Sequence, residues 1–221
     1  MLTAISQFAD PNADPPVHGF LHLPDSPAGD GLVLVHGAGS DCQSKLMLAV
    51  AGAFAEAGFA VLRCDLPFRQ QRPAGPPAQG AATRDREGLR RALEALRRHV
   101  TGSIFLGGHS YGGRQATMLA AEAPGLAAGL MLLSYPLHPP RRHADLRTAH
   151  FPRLETPALF VHGTRDPFGS PAEMETALKL IPARHSLMLI EGAGHDLLGR
   201  KVSDEVPKRM TEAFRKLFNV S

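Results

Sequence analysis

The sequence predicts an α/β fold, a doubly wound and mostly parallel sheet with helices on both faces. Six short apolar runs carry this reading: Gly31–Val35, Phe59–Cys64, Ser103–Gly107, Gly129–Ser134, Ala158–Val161 and Ser186–Ile190. They are rich in Val, Leu, Ile and Phe and do not alternate with polar residues, as strands buried on both faces of a parallel sheet require. Between them lie segments of helical length at Ser44–Ala57, Thr83–His99, Tyr111–Ala123, Pro171–Leu180 and Val202–Leu217. Strand and helix alternating in this way is the pattern of βα units.

Taken in order, Val17–Leu23 is expected to add an antiparallel strand at one edge. Leu66–Gly80, crowded with Pro67, Pro73, Gly75, Pro76, Pro77 and Gly80, reads as a loop. Thr83–His99 carries an apolar stripe at Leu89, Leu93 and Leu96 with arginines opposite. Tyr135–Pro157 contains Pro136, Pro139, Pro140 and Pro152 and has room for at most a short helix. Both proline-rich segments follow strands, which places them at the carboxyl edge of the sheet, where open α/β sheets bind ligands. No repeat or linker interrupts the pattern, so residues 1–221 read as one domain.

Composition excludes several classes of function. The net charge is only +3. Much of the basic excess lies in Arg84–His99 and Pro139–Arg153, and in the first of these arginines are interleaved with Asp85, Glu87 and Glu94. That is a solvated helix face rather than a nucleic-acid stripe. No apolar run is long enough for a membrane span, and Met1–Asp10 lacks the basic start and apolar centre of a secretory signal. The expected location is therefore cytoplasmic. Cys42 and Cys64 are the only cysteines and are expected to be reduced and packed, with no disulfide and no metal site. No cofactor motif is present: His36-Gly37-Ala38-Gly39 has neither the P-loop spacing nor the dinucleotide-binding one.

The chemistry centres on Gly108-His109-Ser110-Tyr111-Gly112, between an apolar strand and a helix-forming segment. That context is what a nucleophile elbow demands. A serine at such a turn is strained, with an expected positive φ, so its neighbours two residues away must be small. The helix that follows points free N–H groups at the site. A hydroxyl needs a base, and among 11 histidines position selects His195, in the loop after the last strand. His109 is excluded because it sits in the elbow and should point into or beneath the sheet. The imidazole needs a carboxylate to fix its tautomer. Asp166, directly after Ala158–Val161, fits better than Asp145 or Glu155, and the chain order Ser, Asp, His suits this kind of sheet. The turn His36–Ser40 offers the N–H of Ala38, which with that of Tyr111 would form an oxyanion hole.

Together these segments resemble the α/β-hydrolase superfamily over almost the whole chain. They are most similar to a small branch of dienelactone-hydrolase-like proteins that also includes the testis-expressed hydrolase-like proteins and a regulatory subunit of the NSL histone-acetyltransferase complex. The residues concerned are Val35–Gly39, Gly108–Arg114, Leu133–Pro140, His162–Gly169 and Gly194-His195, of which Ser134-Tyr135-Pro136-Leu137-His138-Pro139-Pro140 is the most specific to that branch. The resemblance implies Ser110 as nucleophile, Asp166 as acid and His195 as base. It departs in two places. About twenty residues separate Gly129–Ser134 from the next strand, too few for a full helical cap, so the site should be open. Dienelactone hydrolases proper carry cysteine at the elbow, and this chain has Ser110.

The expected function is hydrolysis of a carboxylic ester or thioester through an acyl-enzyme, on a small-molecule acyl substrate, without nucleic-acid or membrane partners. A reading from another class is an interaction or scaffold protein that keeps the fold, against which the filled triad weighs. Arg69, Arg72, Arg141 and Arg142, on loops at the same edge, are candidates to hold an anionic part of a substrate.

Overall fold

The computed structural model describes residues 4–24, 29–198 and 205–220. Its frame is an eight-stranded sheet made of β1 (Ala4–Asp10), β2 (Val17–Leu23), β3 (Gly31–Val35), β4 (Ala60–Cys64), β5 (Ile104–His109), β6 (Leu130–Leu133), β7 (Ala158–Gly163) and β8 (His185–Ile190), in the spatial order β1-β2-β4-β3-β5-β6-β7-β8. β1 and β2 pair antiparallel, β2 joins β4 antiparallel, and every later pairing is parallel. The helices are α1 (Lys45–Glu56), α2 (Pro67–Gln71), α3 (Ala81–Arg97), α4 (Tyr111–Glu122), α5 (Pro171–Leu178) and α6 (Glu205–Phe218).

Each central strand feeds two cores because its side chains alternate between faces. Val33 and Val35 face one core with Leu62, Leu106, Leu132 and Phe160, covered by Leu89, Leu93 and Leu96 of α3 and Leu119 of α4. Leu32 and Leu34 face the other with Val61, Phe105, Met131 and Val161, covered by Phe54 of α1 and Phe214 of α6. There Phe214 meets Phe54, Phe59, Phe105 and Phe218 at ring distances of 4.4–5.8 Å, mostly edge-on, as aromatic quadrupoles prefer.

Three expectations need correction. Val17–Leu23 is an antiparallel strand but not the edge. β1 takes that place, and its mostly exposed residues gave no apolar alternation to find. Leu66–Gly80 is not all loop: Pro67 occupies the first turn of the short helix α2, where the fixed proline φ and missing N–H cost nothing. Asp85 does not belong to a solvated face, because it is fully buried. The start expected for the last helix, Val202 to Asp204, lies outside the described residues. Residues 134–157 hold only the 3-10 turn Phe151–Arg153, so no helical cap covers the sheet there. Among the described residues no helix is long and apolar enough to cross a membrane.

The topology places the site. Chain order in the sheet reverses between β3 and β5, which lie side by side with Val35 opposite Gly108. The loops leaving these two strands therefore diverge, and the crevice between them opens at the carboxyl edge.

Candidate active site

Ser110 stands between β5 and α4 with φ 50° and ψ −114°, a positive φ that a side chain rarely adopts. The glycines around it are required by contact. A Cβ on Gly108 would lie 2.6 Å from the Gly112 carbonyl carbon, and one on Gly112 would lie 2.5 Å from the His36 oxygen. The Ser110 N–H donates to the Leu133 oxygen at 2.8 Å, fastening the elbow to the end of β6.

The structure brings the three predicted side chains into one line. Ser110 Oγ lies 2.8 Å from His195 Nε2, and His195 Nδ1 lies 2.8 Å from Asp166 Oδ2. The loops bearing Asp166 and His195 are joined by their backbones: Thr164 N–H donates to Ile190 and Arg165 N–H to Ala193. A Cβ on Gly163 would collide with the Ala193 carbonyl oxygen, so only glycine lets the two loops meet. The Asp166 side chain is fully buried. Its Oδ1 accepts from the Phe168 N–H at 2.9 Å. Burial alone would raise this carboxyl, but the hydrogen bond and charge of His195 and the Phe168 amide outweigh it, and the group is held below its ordinary value. Of the rivals, Asp145 pairs with Arg142 and Glu155 is exposed.

The His195 ring lies between Phe168, with centroids 4.3 Å apart, and His109, at 5.0 Å. His109 is not the base. Its Nε2–H donates to the His195 carbonyl at 2.8 Å, and burial pushes its pKa down to about 4, so it acts as a neutral prop under the loop.

The 36–40 turn is held equally firmly. The Gly37 oxygen accepts from His36 Nδ1–H at 2.8 Å and from Ser40 N–H at 3.2 Å. In a trans peptide this turns the Ala38 N–H the opposite way. His36 Nε2 then accepts from the Leu66 N–H at 3.1 Å, which fixes the neutral tautomer, and burial lowers the pKa of this ring. Gly37 approaches so closely that a Cβ there would lie 3.3 Å from Ser110 Cβ. Tyr111 opens α4, so its N–H has no partner within the helix.

Two residues of this neighbourhood escaped the sequence reading. Arg69 was a candidate for a substrate anion, but it is buried and already engaged. Its guanidinium donates to the oxygens of Ser40 (2.9 Å), Ala38 (2.8 Å), Arg72 (3.0 Å) and Gly75 (3.1 Å). Asp85 accepts from the Tyr111 hydroxyl at 2.6 Å and from the Phe68 N–H at 3.0 Å. Asp85 sits among the alternating charges of α3 and Arg69 in a proline-rich segment, and neither local pattern carries a sign of these roles. Ser110 and His195 remain partly exposed, so the site opens to solvent.

Comparison with known proteins agrees with this architecture. Dienelactone hydrolase from Anabaena variabilis superposes with a TM-score of 0.78 at 22% identity, covering 98% of this chain and 99% of that one. An alpha-beta serine hydrolase homologue from Coxiella burnetii gives 0.74 at 18% identity, with 96% and 98% covered. In sequence, the rat protein named "Putative protein-lysine deacylase ABHD14B" is 28% identical over 167 residues, 74% of this chain and 73% of its own length. The family profile described as "Alpha/beta hydrolase domain" matches residues 29–219. With that match spanning β3 to β8 and the helices on both faces of the sheet, the chain belongs to the α/β-hydrolase family.

Proposed function

We propose that the chain is a serine hydrolase that cleaves a carboxylic ester or thioester through an acyl-enzyme on a single domain. The observation that carries this reading is the unbroken relay from Ser110 Oγ through His195 to Asp166, with both links at 2.8 Å. Ser110 Oγ attacks the acyl carbon while His195 Nε2 takes its proton, and the buried Asp166 carboxylate stabilises the imidazolium so formed. Charge developing on the substrate oxygen meets the N–H groups of Ala38 and Tyr111, aided by the α4 N-terminus. His195 passes the proton to the departing alcohol or thiol. A water, deprotonated by the same nitrogen, then releases the acid and restores Ser110.

A fluorophosphonate tests the parts together, because its tetrahedral phosphorus resembles the acyl-transfer intermediate. Ser110 should be phosphonylated, Ser110→Ala should not react, and His195→Ala should react orders of magnitude more slowly. A folded wild-type protein left unlabelled after prolonged exposure would overturn the reading in favour of a scaffold. A panel of acyl esters and thioesters of graded chain length then ranks the substrates. An acyl-lysine peptide belongs in the panel, since the rat relative is named for that chemistry and the uncapped site leaves room for a long substrate.

A further inference from the structure

Away from the triad, His138 and His143 from the 134–157 segment meet Glu173 of α5. His138 is fully buried. Its Nδ1 lies 2.8 Å from the Pro139 oxygen, an atom that can only accept, so the ring proton is on Nδ1. The Nε2 lone pair is left without a hydrogen-bond partner, although it is buried, and it points at Glu173 Oε1, 3.5 Å away. A buried nitrogen with no partner costs free energy unless something is meant to occupy it. His143 stands beside it, with ring centroids 4.5 Å apart and Nδ1 at 2.8 Å from the same Glu173 oxygen.

Glu173 is aimed by its place in the helix. It is the third residue of a capping box, so Oε2 accepts from Ser170 N–H at 2.8 Å and Ser170 Oγ–H at 2.6 Å. That fixes the carboxylate plane and leaves Oε1 for the two imidazoles.

We propose that His138 Nε2, His143 Nδ1 and Glu173 Oε1 form a binding site for a divalent transition-metal ion, zinc in particular. The three donor atoms lie within 4.8 Å of one another. In a tetrahedral zinc site with bonds of about 2.0–2.1 Å, neighbouring donors are roughly 3.3 Å apart, so the two Glu173 contacts, at 3.5 and 2.8 Å, are already near that spacing, and the exposed His143 ring supplies the remaining movement that draws the two imidazole nitrogens together. Two imidazoles and one carboxylate suit zinc better than magnesium or calcium, which prefer all-oxygen shells. The Nδ1–H bond of His138 to a backbone carbonyl is the outer support that metal-bound histidines commonly have. His143 frees its Nδ1 lone pair by moving its proton to Nε2 on its exposed side. The ion would brace the 138–143 turn against α5 next to the candidate base: His138 N–H donates to the Phe168 oxygen at 3.1 Å, and Phe168 lies against the His195 ring.

The test uses untagged, chelator-stripped protein dialysed against buffered zinc, with bound metal measured by mass spectrometry and affinity by competition with a chromophoric chelator. Wild type should retain one equivalent and gain melting temperature. His143→Ala removes an exposed ligand without touching the core and should weaken binding by more than about 100-fold, beyond the roughly 10–100-fold that loss of an outer-shell partner costs. His18→Ala, an exposed histidine elsewhere, should leave binding unchanged. Wild-type protein that keeps no zinc, or His143→Ala that binds as wild type does, overturns the assignment.

Discussion

Replacing Gly37 by Ala probes the oxyanion turn without removing any polar group. The added Cβ would stand 2.9 Å from His109 Nδ1 and 3.3 Å from Ser110 Cβ. Neither neighbour yields easily. His109 is held by its bond to the His195 carbonyl, and Ser110 by its N–H bond to Leu133 and by a strained φ. The turn itself must therefore retreat, carrying the Ala38 N–H away from the substrate oxygen. Losing one such donor typically costs about 3–4 kcal/mol of transition-state stabilisation, roughly 10²–10³ in kcat. Steady-state hydrolysis of a short activated ester, with melting temperature measured in parallel, reads the effect. KM should change little, because the donor acts on charge present only in the transition state. If Gly37→Ala retains wild-type kcat while remaining folded, the Ala38 N–H has no part in catalysis.

Asp166→Asn should lower kcat by roughly 10³–10⁴, since Phe168 N–H and His195 Nδ1–H both claim the carboxylate and an amide offers only one oxygen; pre-steady-state acylation would show it, and near-normal acylation would refute the role. Tyr111→Phe should leave kcat nearly intact, because the backbone N–H persists, yet destabilise by about 1–3 kcal/mol by stripping a partner from buried Asp85. Urea unfolding would separate the two effects, and an unchanged midpoint would count against the Asp85 bond. Burial depresses the pKa of His22, His109 and His150 to about 4. From pH 6.5 down to 4 the unfolded chain takes up protons that the fold refuses, so stability present above pH 6.5 is lost on acidification, at up to about 1.4 kcal/mol per pH unit per histidine. Melting temperatures that stay flat from pH 6.5 to 4.5 would contradict this.

The sequence was most readable where local pattern and topology coincide. Ser110, Asp166 and His195 each lie at the carboxyl end of an unmistakable apolar strand, and a parallel sheet gathers such ends at one edge. The helix stripe Leu89, Leu93 and Leu96 was readable for the same reason, since its period matches the face it buries. What escaped depends on tertiary partners. Asp85 looks like its exposed neighbours until Tyr111 and Phe68 arrive from elsewhere. Arg69 looks like any loop arginine until four carbonyls converge on it. The contact between His143 and Glu173 spans 30 positions, and no local pattern signals side chains that meet across the fold. β1 lacks alternation because it covers little of the core.

The guanidinium of Arg69 has a consequence for how this protein can change. By holding Ala38 and Ser40 together with Arg72 and Gly75, it makes the turn bearing a candidate oxyanion donor and the loop after α2 a single mechanical body. Loops at the rim of a site are ordinarily the free material from which new specificities are drawn. Here one of the two rim loops is not free: an insertion near Arg72 would pull on the carbonyls of the oxyanion turn. The 134–157 segment is also tied down at its buried parts, through Tyr135 to the Arg147 carbonyl, His138 to the Phe168 carbonyl and His150 to Thr117, but residues 140–146 between them are exposed and bear on neither the elbow nor the oxyanion turn. A library meant to alter acyl-group preference should therefore vary residues 140–146 and leave the Arg69 side alone.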